Sequence, residues 1–170
     1  MKNQLLFLGL LLVALTICLP SCEPAKAGAH ETAMNTDSLK MKIQALEDAY
    51  AVASNAKDVE GVAVYYASDA QSLANDEPTR VGVDAIKAGI KKEMDTDSSG
   101  NTISFVTTGV WAAGNYVTET GTSTNKDKSG NVVSTGKYMT LFELRDGKYV
   151  AIRDMWNRDA PKAAKAEKPN

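Results

Sequence analysis

The stretch from residue 136 to residue 157, GKYMTLFELRDGKYVAIRDMWN, constrains the fold more than any other part of the chain. It predicts two long strands joined by a tight turn at Asp146-Gly147. An Asp-Gly pair between alternating apolar runs is a strong hairpin signal, because glycine accepts the positive φ that such a turn needs. Side chains on a strand alternate between its two faces. The pattern therefore predicts one face with Tyr138, Thr140 and Phe142, and an opposite face with Met139, Leu141 and Glu143.

Asp154 is the main local conflict in this pattern, because it shares its predicted face with Val150, Ile152 and Trp156. Burying a carboxylate is costly unless a partner compensates it. If this face lines the interior, Asp154 is either the polar anchor of a pocket or a hydrogen-bond partner of a nearby Tyr or Trp. The alternative is an aspartate at an open rim, in contact with solvent. Glu119, which shares a face with Val117, is a second acid of the same kind.

Helical periodicity ahead of the hairpin predicts three helices. The first begins near Asp37 or Ser38, either of which can cap a helix, and continues to Asn55. A short second helix is predicted from Val59 to about Tyr66, and a third from residue 83 to residue 94. The apolar stripe of the first helix consists of Leu39, Ile43, Leu46, Tyr50 and Ala53.

Three tyrosines on these helices are candidates for the interior. Tyr50 lies in the apolar stripe, so it is either a core tyrosine whose hydroxyl finds one partner or a contact for a ligand. Tyr65 and Tyr66 are adjacent, and adjacent side chains on a helix point about 100° apart. We therefore expect only one of these two, Tyr66, to face the interior.

Strand patterns dominate the second half of the domain. Residues 70–80 predict a short strand and a turn, and four longer strands are predicted after residue 101. Helices followed by a four-stranded antiparallel sheet indicate an α+β domain, which we place at residues 37–159. The four strands are predicted at residues 102–112, 116–124, 132–144 and 148–157.

The N-terminal residues indicate export. Lys2 and a short apolar run precede Leu19-Pro20-Ser21-Cys22, which resembles the bacterial lipobox, whose cysteine is acylated. Residues 1–21 are thus predicted to be a lipoprotein signal peptide, with Cys22 as the lipid anchor that holds the protein at the bacterial cell envelope. The alternative is plain secretion after cleavage near Ser21. The composition of residues 22–36 predicts a flexible tether, and that of residues 160–170 a disordered tail.

Composition argues against several classes of function. The formal net charge of -2 offers no basic field for nucleic acid. Both cysteines, Cys18 and Cys22, precede the predicted domain, so disulfides do not stabilise it. The single histidine, His30, also precedes the domain, which excludes a histidine-based catalytic triad or a multi-histidine metal site inside it. We expect neither a cofactor nor a metal.

The order of elements resembles the nuclear transport factor 2-like superfamily, and within it SnoaL-like and ketosteroid-isomerase-like domains. The resemblance rests on AYAVASNAKDVEGVAVYYASDA in the first half and on the hairpin sequence at the end. It spans residues 37–159 and implies a cone, in which a bent antiparallel sheet wraps three helices around an open, mostly apolar pocket. It also implies a homodimer that pairs through the outer face of the sheet.

Isomerases of this superfamily use an aspartate base and an oxyanion hole formed by a tyrosine and a protonated aspartate. The resemblance places that tyrosine on Tyr50, the base on Ala74 and the second oxyanion group near Thr140. Ala74 cannot accept a proton, although a shift of one or two residues in the loop would bring Asp76 to the base position. The candidate catalytic residues are therefore Tyr50, Asp154 and Asp76.

We expect a lipid-anchored envelope domain whose pocket binds a partner or a small molecule, apolar or of mixed polarity, without catalysis. One alternative is an isomerase or hydratase that acts by acid–base chemistry. Another is a dimerisation module whose cone is filled by its own side chains. The residues expected to line the pocket are Tyr50, Tyr66, Trp111, Glu119, Tyr138, Asp154 and Trp156.

Overall fold

The computed structural model describes residues 36–160. The predictions of a signal peptide, a lipid anchor at Cys22, a tether and a C-terminal tail fall outside these residues, apart from Thr36 and Ala160. No helix within residues 36–160 is long and apolar enough to cross a membrane.

The three predicted helices are confirmed, with one change at the second. Helix α1 spans Thr36–Asn55, α2 spans Val59–Ala63 and α3 spans Val83–Thr96. Asp58 caps α2, because its carboxylate accepts a hydrogen bond of 2.9 Å from the backbone N–H of Gly61. Helix α2 ends before Tyr66 because the chain joins the sheet there.

This early exit from α2 corrects the prediction for Tyr65 and Tyr66. Tyr66 is the first residue of a strand, and the carbonyl of Tyr65 already accepts a hydrogen bond of 2.8 Å from the N–H of Ala151. Since neither tyrosine is in the helix, the rule for adjacent helical side chains does not apply. Both side chains are buried.

The sheet has six strands, in the order β2-β1-β6-β5-β4-β3. Strand β1 pairs in parallel with β6, whereas every other neighbouring pair is antiparallel. The predicted four-stranded antiparallel sheet is therefore corrected to a mixed six-stranded one. The sequence of β1, YASDAQSL, has no clear alternation, and its parallel partner lies far away in the chain. The strands are Tyr66–Leu73, Arg80–Val81, Thr102–Ala113, Tyr116–Lys126, Val132–Arg145 and Lys148–Arg158.

The final hairpin is confirmed, with Arg145 opposite Lys148 and with positive φ at both Asp146 and Gly147. Along β5, Tyr138, Thr140 and Phe142 are buried and Met139 is exposed, as predicted. We call the face of the sheet that carries Phe142 the inner face, and the opposite one the outer face.

A β-bulge in β6 corrects one residue of the predicted Asp154 face. The pairing shifts between Leu141 and Phe142, so Ala151 lies opposite Phe142 on the inner face. Val150 then lies opposite Glu143, on the outer face, although it had been predicted beside Asp154. A bulge inserts one residue into a strand, here Ile152, and so shifts the alternation of the residues on one side of it. The sequence pattern does not show where such an insertion occurs.

The helices pack on the inner face and enclose a common apolar core. Leu39 and Ile43 of α1, and Ile86 and Ile90 of α3, belong to the same buried cluster as Phe142. The sheet is thus covered on its inner face, while several large apolar side chains of the outer face remain exposed. This is the predicted α+β cone, with a mixed sheet in place of an antiparallel one.

Candidate ligand-binding site

A cavity of about 260 Å³ lies between the inner face of the sheet and helices α1 and α3. Aromatic side chains and carboxyl groups make up much of its wall. Five of the seven residues predicted to line the pocket lie at this cavity: Tyr50, Tyr66, Tyr138, Asp154 and Trp156. The cavity also meets Tyr65, Phe105, Glu47 and Glu93, which had not been predicted to line it.

Trp111 does not line the cavity, so its prediction as a pocket residue was wrong. The β3–β4 pairing shifts between Thr107 and Gly109, and this bulge moves Val110 to the buried face. Trp111 lies opposite Thr118 and is 59% exposed. Without the bulge, alternation from Phe105 through Thr107 would have carried Trp111 to the inner face.

Glu119 is also corrected, because it lies behind the cavity wall and not in it. Its side chain is fully buried, and its Oε1 accepts hydrogen bonds from Thr107 Oγ1 at 2.6 Å and from the Tyr138 hydroxyl at 3.0 Å. Its Oε2 is buried and receives no hydrogen bond from any donor in the described part of the chain. Glu119 therefore supports the cavity wall through Tyr138.

Asp154 reaches the cavity from the middle of β6 and is 9% exposed. Its Oδ2 accepts a hydrogen bond of 2.5 Å from the Tyr66 hydroxyl and a longer one, 3.4 Å, from Ser72 Oγ. Burial raises the pKa of Asp154, while the hydrogen bonds from Tyr66 and Ser72 act in the opposite direction. The sequence conflict at Asp154 thus marks a buried carboxyl group at a cavity.

Glu47 is a cavity residue that the sequence reasoning missed. It is 3% exposed, and its Oε1 accepts a hydrogen bond from the Tyr65 hydroxyl. Burial, together with the nearby Glu119, raises the pKa of Glu47 to about 9. Glu47 is therefore a neutral acid at pH 7. Its position, four residues after Ile43 and three before Tyr50, places it in the apolar stripe of α1, and that spacing was the available signal.

Glu47 and Glu119 also affect each other electrostatically. After burial, the charge of Glu119 is the main cause that raises the pKa of Glu47, and burial raises the pKa of Glu119 as well. The cavity is thus backed by two buried acids, Glu47 and Glu119, whose pKa values are both raised.

A cluster of aromatic side chains forms another part of the cavity wall. The ring of Tyr50 lies edge-on to Tyr65 at 5.0 Å, to Phe105 at 5.6 Å and to Tyr66 at 6.3 Å. Phe105 in turn lies edge-on to Tyr138 at 5.6 Å. Burial raises the pKa of all four tyrosine hydroxyls, so they are neutral hydrogen-bonding groups at pH 7.

Gly121 makes room for this wall. It lies directly opposite Tyr138 in the β4–β5 pairing, and a Cβ atom at this position would collide with the Tyr138 ring. The absence of a side chain lets the ring cross the neighbouring strand and reach Glu119. The cavity wall therefore depends on a glycine as well as on the aromatic residues.

The SnoaL-like domain family matches residues 46–152. These residues include helices α2 and α3, strands β1 to β4 and most of the final hairpin. The chain belongs to this family. The predicted superfamily is thereby confirmed. No curated protein matches this sequence.

Solved structures support the same fold for this SnoaL-like domain. A protein of unknown function with a cystatin-like fold, from Nostoc punctiforme, aligns with a TM-score of 0.65 at 17% identity, over 71% of this chain and 90% of that one. A ketosteroid isomerase-like protein from Erwinia carotovora atroseptica aligns with a TM-score of 0.59 at 18% identity, over 72% and 97%. An NTF2-like protein from Novosphingobium aromaticivorans aligns with a TM-score of 0.63 at 19% identity, over 72% of this chain and 83% of that one.

The positions that the resemblance had linked to catalysis are only partly at the cavity of this SnoaL-like domain. Tyr50 and Thr140 line it, whereas Ala74 does not. Asp76 is also absent from the wall: it is an exposed turn residue with a φ of 60°. Asp76 is therefore corrected as a candidate catalytic residue, because the loop turns it toward solvent and Asn75 Nδ2 donates to it at 2.5 Å.

The available groups define what the site can do. Neutral acid and hydroxyl groups can donate hydrogen bonds, and Asp154 can accept them when it is ionised. Within residues 36–160, no group of three or more His, Cys, Asp or Glu residues is arranged to hold a metal ion. The arrangement therefore provides polar contacts, and the means for proton transfer, in a wall that combines aromatic and polar side chains.

Proposed function

We propose that this SnoaL-like domain binds a small molecule of mixed polarity in its cavity, without catalysis, and that a lipid on Cys22 holds it at the bacterial cell envelope. The observation that carries the proposal is a cavity of about 260 Å³ in which a buried carboxyl group, Asp154, faces aromatic walls. Concave sites where aromatic side chains and convergent polar groups meet are typical ligand sites.

The cavity favours binding over a purely structural role. A dimerisation module whose cone is filled by its own side chains needs no cavity. It also has no need of a buried carboxyl group at a cavity wall, since an apolar residue would fill that place at lower cost. Ala74, at the position of the isomerase base, favours binding over catalysis.

The second candidate is an enzyme that acts by acid–base chemistry on a carbonyl compound, as an isomerase or a hydratase. One observation favours it: Glu47 and Asp154 line the same cavity in different surroundings. The pKa of Glu47 is raised to about 9, so this residue can serve as the acid. Asp154, which accepts from two hydroxyl groups, can serve as the base.

A thermal-shift screen of the purified full-length protein tests the binding proposal. We expect some members of a library of small polar and apolar compounds to raise the melting temperature, since a ligand at about 100 times its Kd stabilises by about 2.7 kcal/mol. Ser54 lines the cavity from α1, so Ser54→Trp should fill it and abolish these shifts. Ser98 is exposed, and Ser98→Trp is the matched control that should keep them.

Two results of this screen would contradict the binding proposal: no compound stabilises the wild-type protein, or the same compounds stabilise Ser54→Trp equally. Compounds that shift the melting temperature are then incubated with the protein and followed for conversion. Turnover that disappears in both Glu47→Gln and Asp154→Asn would favour the enzyme over the non-catalytic domain.

The lipid anchor is tested by fatty-acid labelling in a bacterium that processes lipoproteins. We expect the wild-type protein to incorporate the label and to sediment with membranes, because acyl chains contribute about 0.8 kcal/mol per buried CH₂. Cys22→Ala should abolish the label and release the protein into the soluble fraction. Cys18→Ala is the matched control, since Cys18 leaves with the signal peptide. An unlabelled wild-type protein would refute the anchor.

A further inference from the structure

The carboxyl group of Asp154 has no cationic partner within residues 36–160. None of the ion pairs formed by these residues includes Asp154. Arg80 acts on it only through space, because its guanidinium group is engaged by Glu77 and Glu93. Buried carboxylates are normally paired, since an isolated buried charge is costly. No positively charged side chain of the described residues therefore pairs with Asp154 when it is ionised.

One oxygen of Asp154 is also left for a ligand. Both hydrogen bonds that the side chain accepts, from Tyr66 and Ser72, end on Oδ2. Oδ1 receives none from the residues that the structure describes. Because Asp154 is a wall residue of the cavity, a donor placed in the cavity is the natural partner for Oδ1.

The aromatic part of the wall suits a cation as well. Tyr50, Tyr66, Phe105 and Trp156 all line the cavity, and aromatic rings attract organic cations through their electron-rich faces. One of these rings already has such a contact, since the guanidinium carbon of Arg158 lies 5.6 Å from the Trp156 ring centre. Arg158 stands four residues beyond Asp154, about 13 Å along the strand, so it leaves the Asp154 end of the cavity without a cation.

We infer that the cavity takes a small organic ammonium ion, with its N–H group on Asp154 Oδ1 and its carbon skeleton against the aromatic wall. This inference rests on the proposed binding function and specifies its ligand class. The volume, about 260 Å³, lies below the usual range for drug-sized ligands and so limits the ion to a small one. The neutral Glu47 and the tyrosine hydroxyls add hydrogen-bonding groups without adding positive charge.

Three probes with one ring and different head groups test the charge preference: phenethylamine in its protonated form, neutral phenethyl alcohol and anionic phenylacetate. Binding to the purified full-length protein is measured by isothermal titration calorimetry at neutral pH. We expect phenethylamine to bind about tenfold more tightly than the alcohol, as a charged hydrogen bond in a desolvated site implies. Phenylacetate should bind most weakly.

Asp154→Asn should reduce the preference for the amine over the alcohol to about twofold or less, because the charge is lost and the shape is kept. Asp146→Asn is the matched control on the same hairpin. Asp146 is exposed in the turn, and asparagine tolerates its positive φ. If Asp154→Asn does not fold, Trp156→Leu serves instead, and should weaken the amine more than the alcohol.

The inference is overturned if the alcohol binds as tightly as the amine. It is also overturned if phenylacetate binds best, which would place the ligand charge at Arg158. If no probe binds although the compound screen yields ligands, the ammonium inference fails and the binding function stands. If the screen yields none either, both fail.

Discussion

Glu47→Gln should stabilise the folded protein by about 3 kcal/mol at pH 7. Folding raises the pKa of Glu47 from its ordinary value of 4.5 to about 9, mainly through burial. The folded state therefore keeps a proton that the unfolded state releases. Its stability is full below pH 4.5 and falls by up to about 1.4 kcal/mol per pH unit as the pH rises toward 9. Glutamine does not titrate, so it removes this loss.

Glutamine also reproduces the contacts of the protonated acid. Its amide oxygen can accept from the Tyr65 hydroxyl, as Glu47 Oε1 does. Its amide nitrogen can donate to Glu119, whose Oε2 otherwise has no partner among residues 36–160. The ionisable groups that act on Glu47 are Glu119, Tyr65 and Asp154. With position 47 neutral at all pH values, the repulsion that Glu119 and Asp154 exert on an ionised Glu47 cannot arise.

Urea denaturation at about pH 5 and about pH 8 measures this effect. We expect the wild-type protein to lose stability between the two conditions and Glu47→Gln to lose much less. Asp48→Asn is the matched control, because Asp48 is exposed on the same helix and its substitution should leave the wild-type slope in place. An unchanged pH slope in Glu47→Gln would show that Glu47 does not hold its proton in the folded state.

The parts of the fold that could be predicted from the sequence are those with a strong local signal. The Asp146-Gly147 turn fixes the register of two alternating strands, so the final hairpin was predicted closely. The apolar stripe of α1 fixes that helix in the same way. Both signals arise between residues a few positions apart, where backbone geometry links spacing directly to the face of an element.

The parts that were missed depend on features without such a signal. The bulge before Gly109 adds one residue to the strand, so each later side chain of β3 points to the face opposite to the one that alternation predicts. This shift alone places Trp111 on the outer face. The parallel pairing of β1 with β6 joins distant parts of the chain. The sequence therefore could not show that Ser72 would lie beside Asp154.

A residue of the candidate site could be predicted where a polar side chain shares a strand face with apolar ones. It could not be predicted on a helix, where a polar side chain is normally taken to be exposed to solvent. Asp154 stood out among apolar neighbours on a strand, although its partner Tyr66 is 88 positions away. Glu47 did not, because a glutamate on an amphipathic helix is usually solvated. Its burial depends on Tyr65 and Glu119, which only the folded chain brings to it.

We propose that the outer face of the sheet pairs with a second copy of the chain, and that Met139→Glu converts this dimer to a monomer. Leu73, Met155 and Met139 lie side by side on neighbouring strands, and Met139 and Met155 are 46% and 51% exposed. Trp111 and Leu141 lie on either side of Thr118 in the adjacent row. A contiguous apolar area of this kind on a monomer is unusual unless a partner covers it.

A two-fold interface presents the same surface from both copies, so a glutamate at position 139 enters it twice. Each copy would then have to desolvate a carboxylate against the apolar row of the other, and two like charges would face one interface. Light scattering of the full-length protein at tens of micromolar should therefore give a dimer mass for the wild type and a monomer mass for Met139→Glu. Met41→Glu is the matched control: Met41 is 67% exposed on α1 and is not part of the outer face of the sheet, so that variant should remain dimeric. A monomeric wild type, or a Met139→Glu protein that stays dimeric, would contradict pairing through this face.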